Sequence, residues 1–394
     1  MRLLGAAAFA SMASMRVCDP LLPALAREFA TTTGHAAHAI SAFAIAYGLL
    51  QLFYGPLGDR YGKTRVISFA VIGCAVANVA AAFAPTIGVL VACRALAGAS
   101  AAGIVPLTMA WIGDSVPYER RQEVLAKFLS ATIFGMIAGQ TAGGVMAERV
   151  GWRPLFLGLA VLFAGVAGLL HAAERRARRK GAAGDPPPAG RFAAQLVSVL
   201  RIRWARRVVA TVAIEGAFVI SSFAFVPSYL HTRFGVSLGG AGAILGLYGV
   251  GGLLYAVAAK RLVAAIGERG LASTGGVLLG VAMALLAFGN HWGWALPACF
   301  VGGLGYYMLH NTLQTSATQM APAMRGTAVA LFAAFLFSGQ SVGLVLAAAV
   351  IDRWSARAVF SLAMVVLPLL GWWCRSSLGR RDQWTAASAV AVEG

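Results

Sequence analysis

An all-α fold embedded in a membrane, with twelve transmembrane helices in two pseudo-symmetric six-helix bundles, is predicted by three observations. The first is composition: 59% of the 394 residues are hydrophobic and 12% are charged, against roughly 25% charged in a soluble domain. The second is spacing. At ~20 apolar residues per crossing, the chain divides into twelve apolar runs with short polar segments between them. The third is a weak internal repeat at an offset of 204 or 205 residues.

The runs lie at 3–26, 37–57, 66–84, 87–112, 124–147 and 154–172, then at 208–231, 239–259, 271–289, 294–318, 327–350 and 357–374. The first opens like a secretory signal, with Arg2 ahead of small and apolar residues. Its apolar stretch continues to about Ala26, so it is expected to remain as a span. Twelve crossings put both termini on one side. Of the 32 Lys and Arg residues, 24 fall in segments on that side and six on the other (Arg27, Arg149, Arg153, Arg233, Arg353, Arg357), with Arg16 and Arg94 inside spans. The positive-inside rule makes the basic side cytoplasmic, so both termini are expected in the cytoplasm and the protein in the inner membrane. The net charge of +18 is then topological, and no nucleic-acid partner is expected. The five cysteines lie in or at the ends of apolar runs without ligand spacing and read as packing residues.

Between the second and third spans stands Gly55-Pro56-Leu57-Gly58-Asp59-Arg60-Tyr61-Gly62-Lys63-Thr64-Arg65. It reads as a tight charged turn: glycines allow close approach and positive φ, Pro56 is tolerated where a helix ends, and the basic cluster prefers the cytoplasmic surface. This stretch closely resembles the G-x-L-(G/A)-D-R-x-G-(R/K) loop between the second and third helices of the major facilitator superfamily. The resemblance implies that family's fold. It also implies a gating role for Gly55, Gly58, Asp59, Arg60, Gly62, Lys63 and Arg65, with Asp59 facing the start of the eleventh helix near Gly326 and Thr327.

Four regions are expected: a bundle over 1–173, a cytoplasmic linker over 174–207, a second bundle over 208–375 and a cytoplasmic tail over 376–394. The linker carries a basic run from Arg175 to Lys180, then Pro186-Pro187-Pro188, which cannot be helical. Its later part puts Phe192, Leu196, Val199 and Leu200 on one face among arginines. That pattern suits either a helix on anionic lipid or a solvated connector. The halves repeat: Pro117 and Arg120 recur as Pro322 and Arg325, Gly62 as Gly267, Gly135 and Gly139 as Gly339 and Gly343, and Arg153 and Phe156 as Arg357 and Phe360. Ala264 stands where Asp59 stands in the first copy.

An ionisable group inside a span costs roughly 2.5–3.5 kcal/mol on insertion scales, so Arg16, Asp19, Arg94 and Glu215 require a reason. Two are positive and two negative, and the set can neutralise itself. Arg16 and Asp19 are three apart on one helix face. Pro20 and Pro23 should bend or loosen the helix there. The group reads either as a static ion pair or as a proton site, where a carboxylate exchanges its counter-charge for a proton. Asp19-Pro20-Leu21-Leu22-Pro23 resembles the first-helix D-x-x-x-P signature of drug–proton antiporters, and Arg94-Ala95-Leu96-Ala97-Gly98 their fourth-helix R-x-x-x-G motif. Gly135, Gly139, Gln140, Gly143 and Gly144 are similar to their fifth-helix G-x-x-x-G-P-x-x-G-G pattern, with Gln140 in place of proline. The resemblance implies a proton-coupling role for Asp19 and Arg94; the glycines equally suit close helix contact. Glu215, about two turns into the seventh span, reads as a second titrating site, a substrate counter-charge or a group snorkelling to the inner interface.

The tenth span is unusually polar, and Tyr307, Asn311, Gln314 and Thr318 make one stripe at helical spacing. Such a stripe faces protein or water rather than lipid, and hydrogen-bonded glue between helices is the competing reading. In the superfamily the first, fourth, seventh and tenth helices line the cavity. This implies substrate contacts for Tyr307, His310, Asn311 and Gln314, joined by Ser222 and Phe225 of the seventh span and Trp111 of the fourth. His35 and His38 lack a third ligand, so no metal site is expected.

The expected function is a proton-coupled secondary transporter that exports a small lipophilic or drug-like molecule by alternating access. The proton gradient would supply the energy without a cofactor, and the protein would act as a monomer in the bilayer. Proton-coupled efflux or uptake of a sugar or metabolite on the same scaffold remains open. A non-transporting receptor or an enzyme is the remote alternative, since no nucleophile elbow, phosphate loop or metal spacing occurs.

Overall fold

A computed structural model of the chain describes residues 2–178 and 192–380. These are almost wholly helical, and no strand occurs among them. Nine helical stretches among the described residues are long and apolar enough to cross a membrane. The chain divides into two compact units, residues 1–190 with 237–243 and residues 191–236 with 244–394.

The first unit contains α1 (Arg2–Arg16), α2 (Leu22–Glu28), α3 (Thr33–Ala36), α4 (His38–Tyr61), α5 (Lys63–Ala82), α6 (Ile87–Ala101), α7 (Ile104–Ser115), α8 (Tyr118–Arg149) and α9 (Trp152–Arg178). α1 packs along α8, α4 along α6, and α5 along both α6 and α9. The predicted first span is not one helix. It stops at Arg16 and resumes at Leu22. Pro20 has no N–H for the Arg16 carbonyl; the Asp19 N–H takes that carbonyl instead, at 3.2 Å. Pro106 has the same effect in the predicted fourth span, which breaks between α6 and α7. The predicted loop from Gly55 to Arg65 also differs. α4 continues through Pro56 to Tyr61, and Gly62 alone forms the turn. Its φ of 89° and ψ of 128° belong to glycine.

The second unit contains α10 (Phe192–Arg201), α11 (Arg203–Glu215), a π-helical turn (Gly216–Ile220), α12 (Ser221–Phe234), α13 (Leu238–Phe288), α14 (Ala295–Gln319), α15 (Arg325–Arg353) and α16 (Ala356–Leu378). The first residues of α13, up to Ala243, belong to the first unit. α11 and the π turn pack along α15, and α14 and α16 flank the same helix. α13 is 51 residues long, about 76 Å at 1.5 Å per residue, which exceeds twice a ~30 Å hydrocarbon core. Gly267 breaks it with φ 63° and ψ 176°.

The predicted linker is described only in part. Pro186, Pro187 and Pro188 lie outside the described residues, as does the side chain of Phe192. Val199 is buried, and α10 packs on α11 and α15. The Thr327 hydroxyl donates to Gln195 of α10 at 3.1 Å. Val199 of the predicted apolar face is therefore covered by protein.

The repeat extends from sequence to contacts. A Cβ on Gly135 or Gly139 would stand 2.3 Å from the carbonyl oxygen of Phe9 or Ala13. In the second unit Gly339 and Gly343 meet the Ala213 and Ala217 carbonyls at 2.0 and 2.1 Å in the same way. Arg153 donates to the Ala84 carbonyl at 3.2 Å, and Arg357 donates to the Ala287 carbonyl at 2.9 Å. Gly62 and Gly267, the paired turns, both have positive φ.

Candidate functional site

The break after α1 places a carboxylate in the interior of the first unit. Asp19 is 0% exposed, and its Oδ2 lies 3.6 Å from Nη1 of Arg16. Neither Asp19 oxygen accepts a hydrogen bond within normal geometry. The Gln140 carboxamide, itself buried on α8, is the next polar group facing it. The reason is local. Gly135, Gly139 and Gly143 seat α8 against the Phe9, Ala13 and Val17 carbonyls, one helical turn after another, and this ladder ends where α1 stops. Gly144 lies on another face, where a Cβ would meet the Leu238 carbonyl at 2.1 Å. The sequence pattern thus brings Asp19, Arg16, Gln140 and three of its four glycines to one place.

Arg94 is also fully buried, on α6. Its Nε donates to the Ala39 carbonyl and its Nη1 to the Ser14 hydroxyl, both at 3.4 Å. The guanidinium stands over the Phe43 ring at 4.4 Å, and Nη2 has no partner. No carboxylate pairs with it among the described residues. Arg94 is held by a carbonyl, a hydroxyl and a ring face, while its charge also acts on Asp19; Glu215 lies in the second unit, paired with His310.

In the gating stretch, Lys63 lies 3.3 Å from Asp59 and 2.6 Å from Asp114 at the end of α7. Asp114 was not singled out from the sequence, being 51 residues from its partner. A Cβ on Gly58 would strike Leu107 at 2.4 Å, whereas Gly55 faces open space. Arg60 stands over the Tyr61 ring at 5.2 Å and Arg65 over Phe69 at 5.9 Å.

In the second unit Glu215 is the last residue of α11, immediately before the π turn. It is 0% exposed, so it does not reach an interface. Its Oε2 lies 2.8 Å from Nδ1 of His310 on α14. The imidazole stacks on Tyr306 at 4.8 Å with 17° between the planes and meets Phe332 at 5.4 Å. Tyr307 and Asn311 are half-buried, and Gln314 and Thr318 are exposed, so the polar stripe opens toward the end of α14. Asn311 faces the Tyr255 hydroxyl of α13. Ser222 and Phe225 are buried, and Trp111 packs on Ala8, Ile112 and Phe128. The rings of His35 and His38 lie 5.2 Å apart at the start of the second span.

A sequence profile described as Major Facilitator Superfamily matches residues 4–344 and, a second time, residues 225–385. Probable transporter SCO4007 of Streptomyces coelicolor is 28% identical over 373 residues, 91% of this chain and 83% of that one. A chloramphenicol resistance protein of Streptomyces lividans is 25% identical over 357 residues, 88% of this chain and 89% of that one. With two other relatives, from Bacillus subtilis and Buchnera aphidicola, the match spans only 37% and 36% of their length. Among solved structures, the nucleoside transporter NupG (D323A mutant) superposes with a TM-score of 0.78 at 12% identity, covering 95% of this chain and 98% of its own.

Proposed function

The chain belongs to the major facilitator superfamily, as an integral membrane transporter and not an enzyme, and from that premise we propose that it is a proton-coupled exporter of a small lipophilic, drug-like molecule. It works by alternating access across the inner membrane, with both termini in the cytoplasm. Twelve crossings follow if α13 counts twice across Gly267 and if α1 with α2, and α14, are added to the other spans. The proton gradient is the energy source, and the protein acts as a monomer.

The observation that carries this reading is Asp19. A fully buried carboxylate stands at a break in α1, 3.6 Å from one cation and beside the Gln140 carboxamide. An uncompensated buried charge is costly, so Asp19 is stable with Arg16 turned to it or with a proton bound. It swaps one for the other as the two bundles rock. The resemblance of Asp19 and Arg94 to antiporter motifs supports the coupling, and the chloramphenicol resistance protein among the relatives supports export. The Asp59 carboxylate and the Lys63–Asp114 pair serve as the inner latch.

The test is transport by everted membrane vesicles with chloramphenicol as the probe. Uptake into the vesicle accompanied by loss of lumenal protons is expected for the wild type, and neither for Asp19→Asn. Uptake by Asp19→Asn at the wild-type rate contradicts the coupling role. Gln140, where the antiporter pattern has proline, favours a second reading, proton-coupled movement of a sugar or metabolite. Proton movement in the same direction as the solute would select uptake.

A further inference from the structure

We propose that Glu215 and His310 together hold a second transported proton, separate from that of Asp19, so that each unit carries one. This deepens the proton-coupled reading above and rests on it for its place in transport.

The geometry begins with burial. Glu215 is 0% exposed and pairs with no lysine or arginine among the described residues; its one ionic partner is His310, at 2.8 Å. At that distance one hydrogen lies between Nδ1 and Oε2. With the imidazole neutral, the pair is a net anion buried in protein. One proton from water makes it neutral, either as imidazolium and carboxylate or as carboxylic acid and neutral ring. A buried net charge is penalised far more than a neutral hydrogen-bonded pair. The arrangement therefore takes up a proton, and returns it when water reaches the pair.

A pair with only a structural role would satisfy its remaining atoms. Oε1 of Glu215 is buried and has no partner. His310, by contrast, is fixed in orientation by Tyr306 and Phe332 and is 12% exposed on its side chain, so the ring is not sealed inside the helices. The carboxylate also sits where α11 gives way to the π turn, a distortion frequent at functional sites. Helices α10, α14, α15 and α16 pack against α11. From them, His310 of α14 and the Cys374 thiol of α16 face the carboxylate. Gln340 of α15, a neutral residue, brings its backbone nitrogen beside Gly216, and the charged residue of α10, Arg201, is exposed.

Infrared difference spectra of the full-length protein in lipid nanodiscs, recorded between high and low pH, read protonated carboxyl groups directly. Above the signal of the exposed carboxylates, two further bands are expected from fully buried carboxyl groups. Asp19→Asn removes one, Glu215→Gln removes the other, and His310→Gln moves the titration of the Glu215 band alone. A Glu215→Gln spectrum identical to the wild type overturns the second site, as does a His310→Gln titration that matches it. A spectrum in which only the Asp19 band titrates overturns the pair and leaves the proposed function standing. One in which only the Glu215 band titrates supports the pair and removes Asp19 from the mechanism.

Discussion

Arg94 shows what holds a buried cation that has no carboxylate at ion-pair distance among the described residues. Its guanidinium reaches the Ala39 carbonyl and the Ser14 hydroxyl in two directions and lies on the Phe43 face. Lysine offers a point charge without the planar fork and cannot serve all three. Arg94→Lys is expected to lower stability by about 1–3 kcal/mol, the cost of leaving a buried acceptor unpaired. Thermal unfolding of the purified protein in detergent measures it, and an unchanged midpoint would show that the three contacts contribute little. At this scale the sequence was informative about which residues are unusual but not about their partners. Asp19 and Arg16 are close in the chain and were legible as a pair. Glu215 and His310 are 95 residues apart, and nothing in a helical period states which distant side chain closes a pair.

Among the elements, the contact of α1 with α8 decides where the carboxylate stands. A Cβ on Gly139 would lie 2.3 Å from the Ala13 carbonyl oxygen, which is backbone and cannot turn aside. Gly139→Ala is expected to destabilise by at least the ~1–3 kcal/mol of overpacking and to lower transport, because α1 and α8 must separate. Gly158→Ala on α9 is the matched control: no heavy atom lies within 4 Å, and removing an unneeded helical glycine is worth roughly 0.5–1 kcal/mol. Denaturation of both variants in one detergent compares them, and equal stabilities would contradict the packing account. The breaks at Pro20 and Pro106 share one cause, a missing N–H. That property is local, and it made the first break legible. Gly62 was legible as a turn for the same reason, although the turn is one residue rather than a loop. The π turn has no comparable mark, because no residue type requires it.

Across the whole molecule, the two units reuse one set of contacts. The glycine seats, the arginine-to-carbonyl bonds and the paired glycine turns recur near the offset read from the sequence. The helical, membrane-embedded architecture was legible because lipid demands long apolar runs and internally bonded backbone. Function is less evenly shared: each unit holds a buried carboxylate at a disturbance of its leading helix, yet Asp19 and Glu215 do not occupy repeat-equivalent positions. The central claim is that Asp19 gives up its proton and turns to Arg16 when cargo arrives. Proton release by the purified protein in weakly buffered detergent, read with a pH indicator on addition of chloramphenicol, tests it most directly. The account predicts a release from the wild type that falls by the Asp19 share in Asp19→Asn, and release of the full wild-type amount by Asp19→Asn would contradict it.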